Sequence, residues 1–207
     1  MHLINRIVIL FCLGAVSSLA VTLPDADELV ADYKLLDLDE TQSITLEEWE
    51  QHAFALFQAA DTNENQQLEG VEIDFNSETE NTFSRADSNH DGNLDIDEFM
   101  KLQRTLFKIA DINRGDFINE VEYTIFRLLE IVGWKDHNHN NRINFSELRE
   151  SLAKVIVQAD FDDSGDLIAE EASFLNAADF ERATANGPLR RSTRSIGFTS
   201  RVIERLP

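Results

Sequence analysis

The chain has 207 residues, with 18 Lys+Arg against 39 Asp+Glu, a formal net charge of −21, and 43% hydrophobic residues including 14 Phe. That apolar content excludes a chain too polar to fold, and the length suffices for one domain or two small ones around a buried core. The acidity argues against nucleic acid and anionic lipid as main partners, because phosphate recognition needs clustered Lys and Arg, and it favours cations.

Residues 1–20 read as a secretory signal peptide, with an early positive charge at Arg6, an apolar run from Ile7 to Ala20, and small residues at Ser18 and Ala20. The run is shorter than the roughly 20 residues a membrane span requires, so the mature chain is expected to have no transmembrane span. Cys12, the only cysteine, lies inside this segment. Without disulfides, a secreted chain draws its stability from a core or from bound metal. The last residues, Glu204-Arg205-Leu206-Pro207, form no retention tetrapeptide, so the expected destination is secreted and extracellular.

Six twelve-residue windows then follow, each opening on Asp and closing on Glu. At positions 1, 3, 5, 7 and 12 the first carries Asp37, Asp39, Thr41, Ser43 and Glu48, and the second Asp61, Asn63, Asn65, Gln67 and Glu72. The third carries Asp87, Asn89, Asp91, Asn93 and Glu98, with Gly92 at position 6, and matches D-x-[DN]-x-[DN]-G-x5-E in full. In the fourth, Asp111, Asn113 and Glu122 remain, while Gly115 at position 5 removes a ligand. The fifth carries Asp136, Asn138, Asn140, Arg142 and Glu147, and the sixth Asp160, Asp162, Ser164, Asp166 and Glu171. Position 8 is aliphatic throughout: Ile44, Leu68, Leu94, Ile118, Ile143 and Leu167. One such window arises by chance at on the order of 10⁻⁴ per start position, so six at near-even spacing are a repeat.

This pattern resembles the EF-hand calcium-binding superfamily over roughly residues 30–180. The pairing of a signal peptide with six loops is similar to reticulocalbin- and calumenin-like proteins, from which this chain departs in its tighter loop spacing and missing retention tail. The resemblance implies Ca2+ as the bound ion. Calcium takes six to eight oxygens, here from side chains at positions 1, 3 and 5, the carbonyl at 7 and both oxygens of the Glu at 12. The third loop offers four carboxylates, from Asp87, Asp91, Asp95 and Glu98, and is expected to bind tightest. Loops one and two place Gln42 and Gln66 at the sharp turn of position 6, where a positive φ would cost roughly 1–3 kcal/mol, and loop four must turn on Asp116.

The loops start 24, 26, 24, 25 and 24 residues apart, which leaves room for one shared helix between neighbours. Helical apolar spacing (Trp49, Ala53, Leu56, Phe57, Ala60; then Leu148, Leu152, Val155, Ile156, Ala159) supports this. The expected fold is therefore all-α, an array of EF-hand helix–loop–helix units sharing connecting helices, with odd loops pairing with odd. The wholly polar stretch 76–82 breaks the rule. It sets an expected joint between residues 21–76, with loops one and two, and residues 77–186, with loops three to six.

His90, His137 and His139 fall at loop positions that point away from the ion and read as solvated spacers. Nothing in the chain suggests a nucleophilic site, so it is read as non-enzymatic. The aromatic stripe (Trp49, Phe57, Phe83, Phe99, Phe107, Tyr123, Phe126, Trp134) reads as core rather than as a target groove. Residues 187–207 hold five Arg and one Glu and read as a basic, disordered tail, with dibasic processing at Arg190-Arg191 or docking to an anionic surface as sharper alternatives. The reading as a whole is reversible calcium binding of a buffering, storage or matrix type. The alternative is a calcium-triggered sensor that opens to bind a protein or an anionic-matrix target.

Overall fold

A computed structural model describes residues 23–73, 83–185 and 188–190. The predicted signal peptide at 1–20 and the predicted joint at 76–82 lie outside the described residues, as does the tail except for 188–190. In chain order the elements are α1 (Ala26–Leu36), β1 (Ile44–Thr45), α2 (Leu46–Ala60), β2 (Gln67–Leu68), β3 (Leu94–Asp95), α3 (Ile96–Ala110), β4 (Phe117–Ile118), α4 (Glu120–Val132), α5 (Phe145–Ala159), β5 (Asp166–Leu167), α6 (Ala177–Thr184) and β6 (Leu189–Arg190). The chain is mainly helical. Two-residue strands at position 8 of loops one to four and of loop six add short ribbons to this helical fold. Among the described residues no helix is long and apolar enough to cross a membrane.

One compact unit comprises Thr45–Phe107. Its α2 starts at a reciprocal cap: Glu48 N–H donates to Thr45 Oγ1 at 3.3 Å, and Thr45 N–H donates to Glu48 Oε2 at 2.8 Å. Trp49, Ala53, Leu56 and Phe57 then fall on one buried stripe. Trp49, near the start of α2, meets Phe107, near the end of α3, edge to face at 6.0 Å, and its Nε1 donates to Gln103 Oε1 at 3.2 Å. Phe57, near the end of α2, meets Phe99, near the start of α3, at 5.3 Å. The two helices are therefore antiparallel. The loop leaving α2 lies beside the loop entering α3, and β2 pairs with β3 in the register Gln67↔Asp95, Leu68↔Leu94. Loop two thus pairs with loop three, which corrects the odd-with-odd expectation. Ala53, Phe57, Leu68, Ile73, Phe83, Leu94 and Phe99 close the core beneath this ribbon.

The other unit comprises the described residues from 23 to Ile44 together with those from Lys108 onward. The strand begun by Ile44 pairs with β4, and Ile44 and Ile118 are both fully buried. Helix α1 packs on α4 through Tyr33 and Tyr123, whose rings lie 5.8 Å apart, and Arg127 reaches Asp32 at 3.6 Å and Glu130 at 2.9 Å. Gly133, at φ 71°, stops α4, and its carbonyl accepts from Lys154 of α5 at 3.0 Å. Leu189 and Arg190, grouped by composition with the basic tail, form β6, which pairs with β5 in the register Asp166↔Arg190, Leu167↔Leu189.

Candidate metal centres

All six acidic loops share one hydrogen-bond scaffold. The Asp at position 1 accepts, through its second oxygen, the N–H of position 6: Gln42 at 3.0 Å, Gln66 at 2.8 Å, Gly92 at 3.0 Å, Asp116 at 3.3 Å, Asn141 at 2.8 Å and Gly165 at 3.0 Å. In loops one to five its first oxygen also accepts the N–H of position 5, from Thr41, Asn65, Asp91, Gly115 and Asn140. The Glu at position 12 accepts the N–H of position 9 in every loop: Thr45, Glu69, Asp95, Asn119, Asn144 and Ile168, at 2.8 to 3.2 Å. In loops two to six its other oxygen takes an N–H from position 2 or 3, as from Ser88 at 2.9 Å and Phe161 at 3.1 Å. Main-chain donors thus aim both end carboxylates before any ion arrives.

The same wrap forces left-handed backbone twice per loop. Position 6 has φ of 65° at Gln42 and Gln66, 63° at Asp116 and 57° at Asn141, and 86° and 85° at Gly92 and Gly165. Position 4 is left-handed as well, at Glu40, Glu64, His90, Arg114, His139 and Asp163, of which Glu and Arg have no preference for it. Gln66 carries a strain that Gly would not. Gln66→Gly is expected to stabilise the fold by about 1 kcal/mol in urea unfolding, after allowing for the extra chain entropy of Gly in the unfolded state. A loss of stability would show that the Gln side chain holds the loop in another way.

The loops differ in what they gather. Asp160, Asp162 and Glu171 bring carboxylate oxygens within 4.8 Å of one another. In loop six the Asp160 side chain, on a residue only 6% exposed, has an oxygen, Oδ1, with no hydrogen-bond partner. There Ser164 N–H turns to Asp162 at 2.9 Å, and Ser164 Oγ donates to the Asp166 carbonyl at 2.9 Å. The position-5 hydroxyl and the position-7 carbonyl therefore face the same small volume. Loops two to five place an amide at position 3: Asn63, Asn89, Asn113 and Asn138. Loop five keeps the end carboxylates of Asp136 and Glu147, and Arg142 N–H donates to Asn140 Oδ1 at 2.9 Å.

Two position-9 side chains settle differently. Asp95, counted from the sequence among the third loop's carboxylates, caps α3 by accepting Glu98 N–H at 2.8 Å. Glu69, absent from the sequence-derived ligand set, accepts from Asn63 Nδ2 at 3.2 Å and Asn65 Nδ2 at 2.9 Å, giving loop two a third carboxylate. The signal for it was an acidic residue at position 9, masked by that position's usual action through water. In loop four, a Cβ at Gly115 would lie 2.8 Å from Asn113 Oδ1, which is buried with no hydrogen-bond partner.

Protonation separates the loops further. Burial works against the charged form of Glu98, but the N–H groups of Asn89, Asp95 and Ser88 outweigh it and hold the carboxyl below its usual range. Burial pushes fully enclosed Glu122 the other way, and the charge of Asp111 adds to it against the N–H groups of Asn113 and Asn119. In ion-free protein Glu122 should take up its proton at higher pH than Glu98, which carboxyl carbon NMR across pH 3 to 8 would test. The signs follow: Glu122 makes the fold more stable as pH falls from its raised pKa toward 4.5, whereas the contribution of Glu98 is present above 4.5 and lost as pH falls through its lowered pKa.

Residues 80–103 match a family model described as EF hand. The match spans the third loop with its flanking segments. No curated protein and no solved structure matches the chain. The EF-hand match together with the carboxylate cluster of loop six supports metal binding. The donors at these loops are oxygens from carboxylate, amide, hydroxyl and carbonyl groups, with no sulfur, which fits a hard cation such as calcium.

Proposed function

We propose that the protein binds calcium reversibly through up to six EF-hand loops and acts outside the cell as a buffering, storage or matrix-type binder. One observation carries this reading. In loop six a buried carboxylate oxygen of Asp160 has no donor, and it lies in a cluster with Asp162 and Glu171. Three clustered carboxylates repel one another, and a buried carboxylate oxygen without a donor is costly; a divalent cation relieves both at once. Calcium supplies the countercharge, and the chain's own groups do the rest. Main-chain N–H groups aim the Asp at position 1 and the Glu at position 12, while the left-handed turns bring positions 3 and 5 round to the same point.

Loop three adds the full motif and the family match, and we place the tightest binding there. The leading apolar segment supports export, and extracellular hands work at about 10⁻⁴–10⁻³ M calcium. Each occupied loop then stabilises the fold by about 1.4 kcal/mol at calcium ten times its Kd. Calorimetric titration of residues 21–207 with calcium, against a magnesium control, tests the reading. Saturable calcium heat with a rise in melting temperature is expected, and the absence of both would end it. Fluorescence of the apolar dye ANS distinguishes the two roles. A fall on adding calcium fits a core that closes around metal, and a rise would replace the buffering role with a sensor.

A further inference from the structure

The strand contacts of loops two and three set a standard for loop six. In that pair, Leu68 at position 8 of one loop lies in register with Leu94 at position 8 of the other, and both are buried. Loop six reproduces this arrangement without a second loop: Leu167, its position 8, lies in register with Leu189, and each is 3% exposed. Between loop six and Leu189 the chain forms α6, capped by Asn176 and with no buried side chain of its own. Position 7 is held by the same ribbon. Asp166 is in register with Arg190, and its carbonyl accepts from Ser164 Oγ.

We propose that Leu189 stands in for the partner hand that loop six lacks, so that the segment 188–190 sets the cation affinity of that loop. The inference rests on the calcium reading above. Loop affinity depends on how much of the population already holds the binding-competent backbone, and an unpaired loop must order itself when it binds. Pairing at Leu167–Leu189 removes that cost by keeping positions 7 and 8 extended. Leu189 is a positioning residue, remote from the ion.

Gly165 and Gly92 each occupy position 6 of their loops, and each donates its N–H to the position-1 Asp, so their amide resonances report loops six and three separately. In a calcium titration of the chain followed by NMR, Leu189→Asp is expected to raise the Gly165 midpoint about tenfold or more and to leave that of Gly92 unchanged. Leu189→Ile should restore most of the affinity, and Arg191→Gln with Arg194→Gln should leave it intact, because the tail's charge is not the agent. If the Gly92 response disappears in Leu189→Asp, the chain has unfolded, and Leu189→Ala, with an expected rise of at least threefold at Gly165 alone, decides instead. Equal Gly165 midpoints in the Ala variant and the unmodified chain would overturn the inference alone. A Gly165 amide that ignores calcium in the unmodified chain would overturn the calcium reading of loop six and this inference together.

Discussion

Glu98→Gln is expected to weaken calcium binding at loop three by at least about 100-fold, or about 2.7 kcal/mol. The carboxylate of Glu98 accepts N–H groups from Ser88 and Asn89 on one oxygen and from Asp95 on the other. Gln removes the charge and turns one of those acceptors into a donor aimed at a donor. The change therefore removes half of the two-oxygen clamp and leaves an N–H without its partner, an added cost of about 1–3 kcal/mol in the ion-free fold. The Gly92 amide reads the first effect and urea unfolding in chelator reads the second. A shift of less than threefold at Gly92 would show that loop three does not bind through position 12.

Trp49→Ala should destabilise the unit formed by Thr45–Phe107 by about 3–5 kcal/mol, the usual range for emptying a buried aromatic site. Trp49 is 2% exposed, lies edge to face with Phe107 and donates to Gln103. Truncation opens a cavity between α2 and α3 and strands the Gln103 carbonyl oxygen. Because those helices hold loops two and three side by side, their calcium midpoints should rise with the loss of packing. Trp49→Phe should keep most of the packing and lose chiefly the hydrogen bond, at about 1–2 kcal/mol. Unfolding by urea at saturating calcium, followed by circular dichroism, measures both. A cost below 1 kcal/mol for the Ala variant would mean that this contact does not organise the unit.

Much of the local structure was legible in the sequence because it is governed by near neighbours. Asp and Glu eleven residues apart, a short polar residue at position 9 and a run of helical apolar spacing are enough to specify a loop that ends in a capped helix. Thr45, Asn119 and Asn144 each cap in that way, with the Glu at position 12 completing the cap. The strain at Gln42 and Gln66 was also foreseeable, since the turn of position 6 requires left-handed backbone whatever residue occupies it. The left-handed residues at position 4 were not legible, because Glu40, Glu64 and Arg114 carry no local preference for that conformation.

Pairing depended on contacts far apart in the chain. Even spacing suggested that alternate loops would meet, a rule that holds only while every connector is one continuous helix. The antiparallel packing of α2 on α3, through Trp49 with Phe107 and Phe57 with Phe99, instead set loop two beside loop three. Likewise, composition marked residues 187–207 as a tail by its arginines, yet Leu189 is buried against Leu167. The sequence by itself determined which atoms could surround a cation, since ligand identity and loop turns are written within twelve residues. Which loop has a partner, and what that partner is, was decided only by the tertiary structure. A strand edge accepts whatever main chain the packing of helices brings to it.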